Sequence, residues 1–285
     1  MVLKKLKSYG ELVMFSHTLF SLPFALIGMI WAAQGLPSAA TILWILIALV
    51  GARNGANALN RIVDKDFDKK NPRTANRHMP KGEVKNYEAW GIVLLCFSIF
   101  ILAAFMLNPL CFMLSPVALF LFIIYSYTKR FTWLCHLVLG ITCGGAPVGA
   151  WLAVTGEFAL APIILGAVVT LWIAGFDIIY ATQDIEFDRK IGLFSIPAKF
   201  GLKGSLYISS LFHFVMILLL ISLYYIMQTG WIYLLGIFIS SILLALEHYI
   251  VSPSNEKTMK IASYNINKVV SVLIFIFTML DFIIL

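Results

Sequence analysis

The sequence predicts an all-α integral membrane protein of about nine transmembrane helices, arranged as two pseudo-repeated helix bundles. Three observations predict this fold class: the composition, a succession of long apolar segments, and a polar motif that occurs twice. The chain of 285 residues is 61% apolar and 12% charged, and its mean hydropathy is +0.92. Soluble domains carry about 25% charged residues, so we expect residues 1–285 to form one membrane domain.

The apolar segments are continuous rather than alternating, and each approaches the roughly 20 residues that a helix needs to cross a bilayer. Only Asn108 and Pro109 separate the third segment from the fourth. The expected spans cover approximately residues 12–33, 40–60, 88–107, 109–127, 133–153, 159–181, 205–227, 231–251 and 265–285.

The basic residues predict the orientation of these spans. With nine spans, 20 of the 21 Lys and Arg residues fall on one side of the membrane, and the remaining one, Arg53, lies inside the second span. The positive-inside rule then places the N-terminus and the charged loops in the cytoplasm, and we expect the bacterial inner (plasma) membrane. The net charge of +7 therefore reflects topology and attraction for anionic lipid or ligand, and indicates no nucleic-acid partner. The four cysteines have no metal-like spacing and are expected to be packing residues.

A polar motif ends the second apolar segment. Asn60, Asp64 and Asp68 are spaced four residues apart, so on a helix they lie on one face. Arg53 and Asn57 extend this face back into the apolar segment. Because a carboxylate near lipid is energetically costly, such a row indicates a functional site.

A matching motif ends the sixth apolar segment, 120 positions later. Asp184 and Asp188 repeat the spacing of the first pair, and basic residues follow both pairs. Tyr180 stands where the first copy has Asn60, and Asp177 adds a carboxylate on the same helix face. One such pair is common at solvated helix ends, but two matching copies that each close an apolar segment indicate a shared function.

The chemistry of these residues points to a metal-bound diphosphate. Carboxylates alone would repel one another, whereas Mg²⁺ prefers a few carboxylates together with water and substrate phosphates. Arg and Lys then meet the remaining phosphate oxygens, and Mg²⁺ stabilises a leaving pyrophosphate. A ligand with a charged head at the membrane edge and an apolar tail fits an isoprenoid diphosphate. This interpretation requires that the two acidic motifs face each other.

These motifs resemble those of the UbiA superfamily of intramembrane prenyltransferases. The resemblance covers nearly the whole chain and includes both Asp motifs and the Tyr-x-x-x-Lys-Arg of residues 125–130. Residues 71–74 and 146–151 are similar to the 4-hydroxybenzoate polyprenyltransferase branch, and equally to the futalosine-route enzymes of menaquinone synthesis that prenylate a dihydroxynaphthoate. The resemblance implies nine helices around a central cavity and Mg²⁺-dependent attack of an electron-rich ring on the allylic carbon.

The resemblance also implies roles for individual residues. Asp177 and Tyr180 would steer the aromatic ring or its hydroxyl, and Arg53 would pair with the acceptor's carboxylate or with an aspartate of the motif; both alternatives stay open for Arg53. The expected metal ligands are Asp64, Asp68, Asp184 and Asp188, with Asn60 in support. The expected diphosphate ligands are Arg73, Arg77, Lys129, Arg130, Arg189 and Lys190.

Two other functions are compatible with parts of this pattern. A cation-coupled transporter also contains repeated helices with intramembrane carboxylates, but such transporters tend to place these sites near the midplane on broken helices. A structural membrane subunit needs no matched aspartate motifs. Within the enzyme class the acceptor stays open between 4-hydroxybenzoate, a dihydroxynaphthoate, a porphyrin and a chlorophyll precursor, and the sequence does not give the prenyl chain length.

Overall fold

A computed structural model describes residues 9, 10, 12, 18–252, 255, 258, 259 and 261–285, and of residues 18 and 19 the backbone alone. The described chain is helical and contains no strand. Its helices are α1 (Thr18–Ala33), α2 (Ala39–Val63), α3 (Lys65–Lys70), α4 (Asn86–Leu107), α5 (Pro109–Tyr127), α6 (Cys135–Thr155), α7 (Leu160–Ala181), α8 (Ile185–Ile191), α9 (Ile196–Met227), α10 (Trp231–Ile250) and α11 (Asn267–Ile284), with 3-10 turns at Thr128–Arg130 and Thr182–Asp184 and a π-helical turn at Ile261–Ile266.

Eight helices of the described chain are long and apolar enough to cross a membrane, and α1 is a shorter apolar helix. Together they match the nine predicted spans approximately. Many of their large side chains, such as Leu94, Phe120 and Phe238, are exposed, as expected for surfaces that face lipid. The beginning of the first predicted span and the bases Lys4, Lys5, Lys7, Lys257 and Lys260 lie outside the described residues.

The chain divides into two compact units that interleave along the sequence. Unit 1 comprises Met1–Leu19 and Pro37–Tyr127, and unit 2 comprises Phe20–Leu36 and Thr128–Leu285. Thus α2 to α5 lie in unit 1, whereas nearly all of α1 joins α6 to α11 in unit 2.

Unit 1 is held together by the packing of α2 against α4 and of α4 against α5. Leu59 of α2 is buried in a cluster with Val93 of α4. Phe122 of α5 contacts two rings of α4, with centroid distances of 6.0 Å to Phe97 and 5.7 Å to Phe100. Aromatic contacts of this kind add to the energy of burial alone.

Unit 2 has a larger core, centred on Trp172 of α7, which is fully buried against Phe20 and Phe24 of α1. At the start of α10, the carboxylate of Asp281 from α11 accepts hydrogen bonds from the backbone N–H groups of Gly230, at 2.6 Å, and Tyr233, at 3.1 Å. These bonds satisfy donors that a helix start leaves without partners.

One helix starts earlier than predicted. The seventh span was expected from residue 205, but α9 begins at Ile196 because the hydroxyl of Ser195 accepts a hydrogen bond from the N–H of Ala198 and Pro197 stands in the first turn. Gly201, at φ 68° and ψ −175°, then kinks the helix, a backbone conformation open to glycine alone.

Candidate functional site

Both aspartate motifs interrupt the helix that carries them. Asp64 lies between α2 and α3 at φ −89° and ψ 1°, and Asp184 lies at the start of α8 at φ −104° and ψ 8°. The sequence predicted one continuous helix face through each motif, so this break is a correction. It leaves the spacing intact in the first copy, because the N–H of Asp68 still donates to the carbonyl of Asp64 at 2.8 Å.

The two copies therefore share a backbone design as well as a sequence pattern. Each apolar span ends at its first aspartate, and a short polar helix carries the second aspartate one turn later, at Asp68 and Asp188. The break occupies the sparsely populated region of φ and ψ in which active-site residues are often found. Nothing in the hydrophobic pattern distinguishes this break from a straight helix end.

The first acidic cluster lies in unit 1 and contains Asn60, Asp64, Asp68, Arg61 and Arg77. The amide of Asn60 donates to Asp64 Oδ2 at 2.9 Å, and the two side chains share a helix face as predicted. Arg77 binds both carboxylate oxygens of Asp68, at 2.7 and 2.8 Å, and Arg61 Nη1 lies 4.0 Å from Asp68 Oδ2. Both hydrogen bonds of Arg77 come from Nη1, and because Asp68 is only 7% exposed, water screens this charged contact weakly.

The loop after α3 brings Arg77 to Asp68. The side-chain hydroxyl of Thr74 donates to the carbonyl of Asp68 at 3.1 Å, and the backbone N–H of Arg73 donates to Asn71 Oδ1 at 3.0 Å. Met79 is buried in an apolar cluster that anchors the far end of the loop. The predicted diphosphate ligands Arg73 and Arg77 are thus on an ordered loop, and Arg77 is held by a predicted metal ligand.

Two further arginines of unit 1, Arg53 and Arg61, lie on α2. Arg53 is half-buried on α2, seven residues before Asn60. Arg61 lies within electrostatic reach of Asp64, Asp68, Arg77 and Tyr125. Arg61 is not among the predicted site residues, although it stands directly after Asn60 in the first motif.

The second acidic cluster lies in unit 2 and contains Asp177, Asp184, Asp188, Lys129 and His136. Asp184 and Asp188 are buried, with 5% and 2% exposure. Lys129, a predicted diphosphate ligand, lies within electrostatic reach of all three carboxylates.

Two contacts tie Asp188 and Lys129 to the loop before α9. Ser195 donates its hydroxyl to Asp188 Oδ2 at 2.9 Å. The backbone carbonyl of Lys129 accepts a hydrogen bond from the N–H of Phe194 at 2.7 Å. Ser195 is not among the predicted site residues, although the Ser-x-Pro pattern marks it as a helix cap.

Asp177 has a partner that the sequence analysis missed. Its Oδ2 atom lies 2.7 Å from Nδ1 of His136 in the first turn of α6. Tyr180, one turn further along α7, is half-buried, with its ring centroid 6.4 Å from that of Tyr264.

The remaining predicted anion ligands differ in their surroundings. Arg130 is half-buried in the turn after α5. Arg189 and Lys190 are exposed on α8, and Arg189 Nε donates to the carbonyl of Ala198 at 2.7 Å, which links α8 to the first turn of α9. Arg189 thus has a structural contact in addition to its predicted role.

The donor set of each cluster suits magnesium. Within each unit, the described residues gather no group of three or more His, Cys, Asp or Glu side chains that could hold a metal. Mg²⁺ does not require such a group, because it retains several waters and takes one or two carboxylates together with phosphate oxygens. The aspartate pair in each cluster meets this requirement with hard oxygen donors.

Comparison with known proteins connects this arrangement to one family. The profile of the UbiA prenyltransferase family matches residues 21–269. Two curated relatives are named 4-hydroxybenzoate octaprenyltransferase: one from Francisella tularensis subsp. tularensis is 32% identical over 91% of this chain and 89% of its own length, and one from Vibrio campbellii is 32% identical over 73% and 74%.

Solved structures share the fold. An apo structure of a UbiA homolog from Aeropyrum pernix K1 superposes with a TM-score of 0.84 and 34% identity, covering 93% of this chain and 98% of that one. A UbiA homolog from Archaeoglobus fulgidus bound to DMAPP and Mg²⁺ has a TM-score of 0.68 at 19% identity, over 98% and 100% of the two chains. The latter likeness concerns the fold alone.

Proposed function

Because the chain belongs to the UbiA prenyltransferase family, we propose that it transfers a polyprenyl group from a polyprenyl diphosphate to an aromatic acid. The observation that carries this proposal is the repeated design of the two acidic clusters. In both, an apolar span ends at an aspartate, and a buried second aspartate follows one turn later beside a basic side chain. Apolar spans suit the lipid tail of such a substrate, and the clusters suit its diphosphate.

The acceptor is of the 4-hydroxybenzoate or 1,4-dihydroxy-6-naphthoate type, and the product belongs to ubiquinone or menaquinone biosynthesis. The names of the curated relatives support the first acceptor. Asp177 and Tyr180 act on the ring or its hydroxyl, and Arg53 pairs with the carboxylate of the acid. The guanidinium of Arg53 suits this role because it remains charged and binds a carboxylate in bidentate fashion.

Asp64, Asp68, Asp184 and Asp188 hold Mg²⁺ in this proposal, and Asn60 orients Asp64 through its 2.9 Å hydrogen bond. When bound, Mg²⁺ supplies Lewis-acid stabilisation of the leaving diphosphate. The protein's own cations bind the diphosphate oxygens; they are Arg73, Arg77, Lys129, Arg130, Arg189 and Lys190.

The protein would act in a bacterial inner membrane with its charged loops in the cytoplasm, where diphosphate and Mg²⁺ reach both clusters. Cation-coupled transport, the alternative considered from the sequence, is less well supported. Asp64 directly follows the span Ala39–Val63, Asp184 lies three residues after the end of α7, and the family is one of transferases.

The test uses the purified protein in nanodiscs with Mg²⁺, a labelled polyprenyl diphosphate and each aromatic acid separately. Asp64→Asn and Asp184→Asn are each expected to lower product formation by about 100-fold or more, because charge on the diphosphate loses its counter-charge. Asp66→Asn and Glu186→Gln are the matched controls. Their side chains are exposed at equivalent positions of α3 and α8, and we expect less than about a 3-fold change.

Equal loss in the control variants, or near-normal turnover in Asp64→Asn or Asp184→Asn, would contradict the metal assignment. Cation flux into proteoliposomes in the absence of any prenyl transfer would favour the transporter instead.

A further inference from the structure

The helices α6 and α7 pack backbone against backbone along a row of small residues. His136, Gly140 and Gly144 are spaced four apart and share one face of α6. A Cβ atom at Gly140 would overlap the carbonyl oxygen of Thr170, and one at Gly144 would overlap the carbonyl oxygen of Gly166. Because the two glycines bring the backbones of α6 and α7 into close contact at these points, they restrict the register between the helices.

This register places His136 beside Asp177. Asp177 lies seven residues after Thr170, on the same face of α7, and its Oδ2 atom is 2.7 Å from His136 Nδ1. An ionised carboxylate only accepts hydrogen bonds, so Nδ1 is the donor. The Asp177 side chain retains 27% exposure, whereas that of His136 retains 1%. The imidazole therefore supports the carboxylate from the buried side.

The other ring nitrogen of His136 makes the packing of this residue costly. Nε2 is buried and has no hydrogen-bond partner among the described residues. The neighbouring thiol of Cys135 is directed to backbone carbonyls, including that of Phe194 at 3.7 Å. A buried polar atom without a partner is destabilising, so an apolar residue would fill this position more favourably unless the bond to Asp177 is needed.

Asp177 also differs from the two aspartates of the second motif. All three lie within electrostatic reach of Lys129. Ser195 holds Asp188 through a hydroxyl, but a buried imidazole holds Asp177 in one orientation. Asp177 is thus the fixed, partly exposed carboxylate of the cluster.

We propose that His136 is a positioning residue, which holds Asp177 so that its carboxylate accepts a hydrogen bond from the hydroxyl of the aromatic acceptor. This inference rests on the proposed function, because it assigns a task in recognition of the aromatic substrate. A carboxylate that is already held in one orientation contributes more to binding than a mobile one, since less side-chain freedom is lost when the aromatic substrate binds.

The test separates the two substrates. His136→Leu removes the hydrogen bond at similar volume, and we expect KM for the aromatic acid to rise by about 10-fold or more, while KM for the polyprenyl diphosphate changes by less than about 2-fold. His136→Asn retains an N–H near the position of Nδ1 and is expected to keep KM for the aromatic acid within about 3-fold of the wild type.

A second buried histidine provides the matched control. His213 on α9 is 3% exposed, and its Nδ1 lies 3.0 Å from Nε2 of His248. This contact in unit 2 is separate from the one between His136 and Asp177. His213→Leu is expected to leave the ratio of the two KM values unchanged, even where it lowers thermal stability. In an Asp177→Ala background, which has no acceptor for Nδ1, His136→Leu is expected to add less than about a 3-fold loss, because both substitutions remove the same contact.

Two results would overturn the inference. Equal effects of His136→Leu on both substrates, or a full additional loss in the Asp177→Ala background, would show that His136 has only a structural role while the proposed function stands. Wild-type protein that converts no aromatic acid would overturn the proposed function and this inference with it.

Discussion

At the scale of single residues, Ser195 shows how one side chain serves the fold and the site together. Its hydroxyl accepts from the N–H of Ala198 at the start of α9 and donates to Asp188 Oδ2. It is fully buried, so both contacts are shielded from water. A hydroxyl can accept and donate at once, which no isosteric apolar residue can do.

Replacing Ser195 should therefore affect stability and turnover together. Ser195→Ala removes the cap and leaves Asp188 without its hydroxyl donor, and we expect a loss of about 2–4 kcal/mol of stability and a reduced rate of prenyl transfer. Thermal unfolding in detergent and the nanodisc assay measure the two effects. Ser195→Thr keeps the hydroxyl and should retain most of both.

Ser38 offers a control with the same capping role. Its hydroxyl accepts from the N–H of Thr41 at 3.1 Å at the start of α2, in an exposed position without a carboxylate partner. Ser38→Ala should cost about 1 kcal/mol or less and leave turnover unchanged. Equal turnover in Ser195→Ala and Ser38→Ala would contradict a role for the Ser195–Asp188 contact.

The contacts of residues close in sequence were predictable, and those between distant residues were not. The spacing of Asn60 and Asp64 predicted that their side chains share a helix face, and the hydrogen bond between them is consistent with that. The bond of Arg77 to Asp68 depends on how residues 71–76 fold, and a non-periodic loop gives no such register. His136 belongs to neither motif, so its contact with Asp177 could be found only through the packing of α6 on α7.

At the scale of helices, hydrophobic length predicted most boundaries to within a few residues. The structure confirms the separation at Asn108, whose extended backbone, at φ −166° and ψ 167°, ends α4 before Pro109 begins α5. The breaks at Asp64 and Asp184 were missed because an aspartate one turn before another fits a continuous helix equally well.

The row of small residues between α6 and α7 supports a prediction at this scale. Gly140→Ala should force the two helices apart and cost about 1–3 kcal/mol, and should weaken use of the aromatic acid because the His136–Asp177 contact depends on their register. Thermal unfolding and KM for each substrate measure these effects.

Gly145 lies on the same helix with nothing near the position of an added Cβ atom. Gly145→Ala should be neutral or slightly stabilising, since alanine is the better helix former. A Gly140→Ala variant as stable as Gly145→Ala would show that the close approach of the helices is not required.

At the scale of the whole molecule, the distribution of charge predicts the orientation in the membrane. Leu36, in the connection between α1 and α2, is expected outside the cell, and Lys81, in the loop after α3, inside it. Both are exposed. Single cysteines at these positions test this in a background without the four free cysteines Cys96, Cys111, Cys135 and Cys143.

A membrane-impermeant maleimide should label Leu36→Cys in intact cells and Lys81→Cys only after lysis. The reverse labelling pattern would invert the proposed topology, and labelling of both sites in intact cells would contradict the span assignment between them.

Charge and hydropathy thus predict the number of spans, but they do not predict which spans pack together. The repeated motif indicated two bundles, and the structure assigns α1 to the bundle that contains the second motif rather than the first. That assignment follows from the fit of Phe20 and Phe24 against Trp172, which no periodicity encodes.

The interleaved order of the two units has a consequence during synthesis on the ribosome. The 91 residues of Pro37–Tyr127 must be translated between α1 and the first residues of the unit that α1 joins. At cellular elongation speeds this takes roughly 5–20 s, during which the helix enters the bilayer as an orphan segment among lipids. The helices that α1 packs against in the finished enzyme are inserted only after α2 to α5 have been inserted. The helix α1 must therefore remain in the membrane before it can pack into its unit.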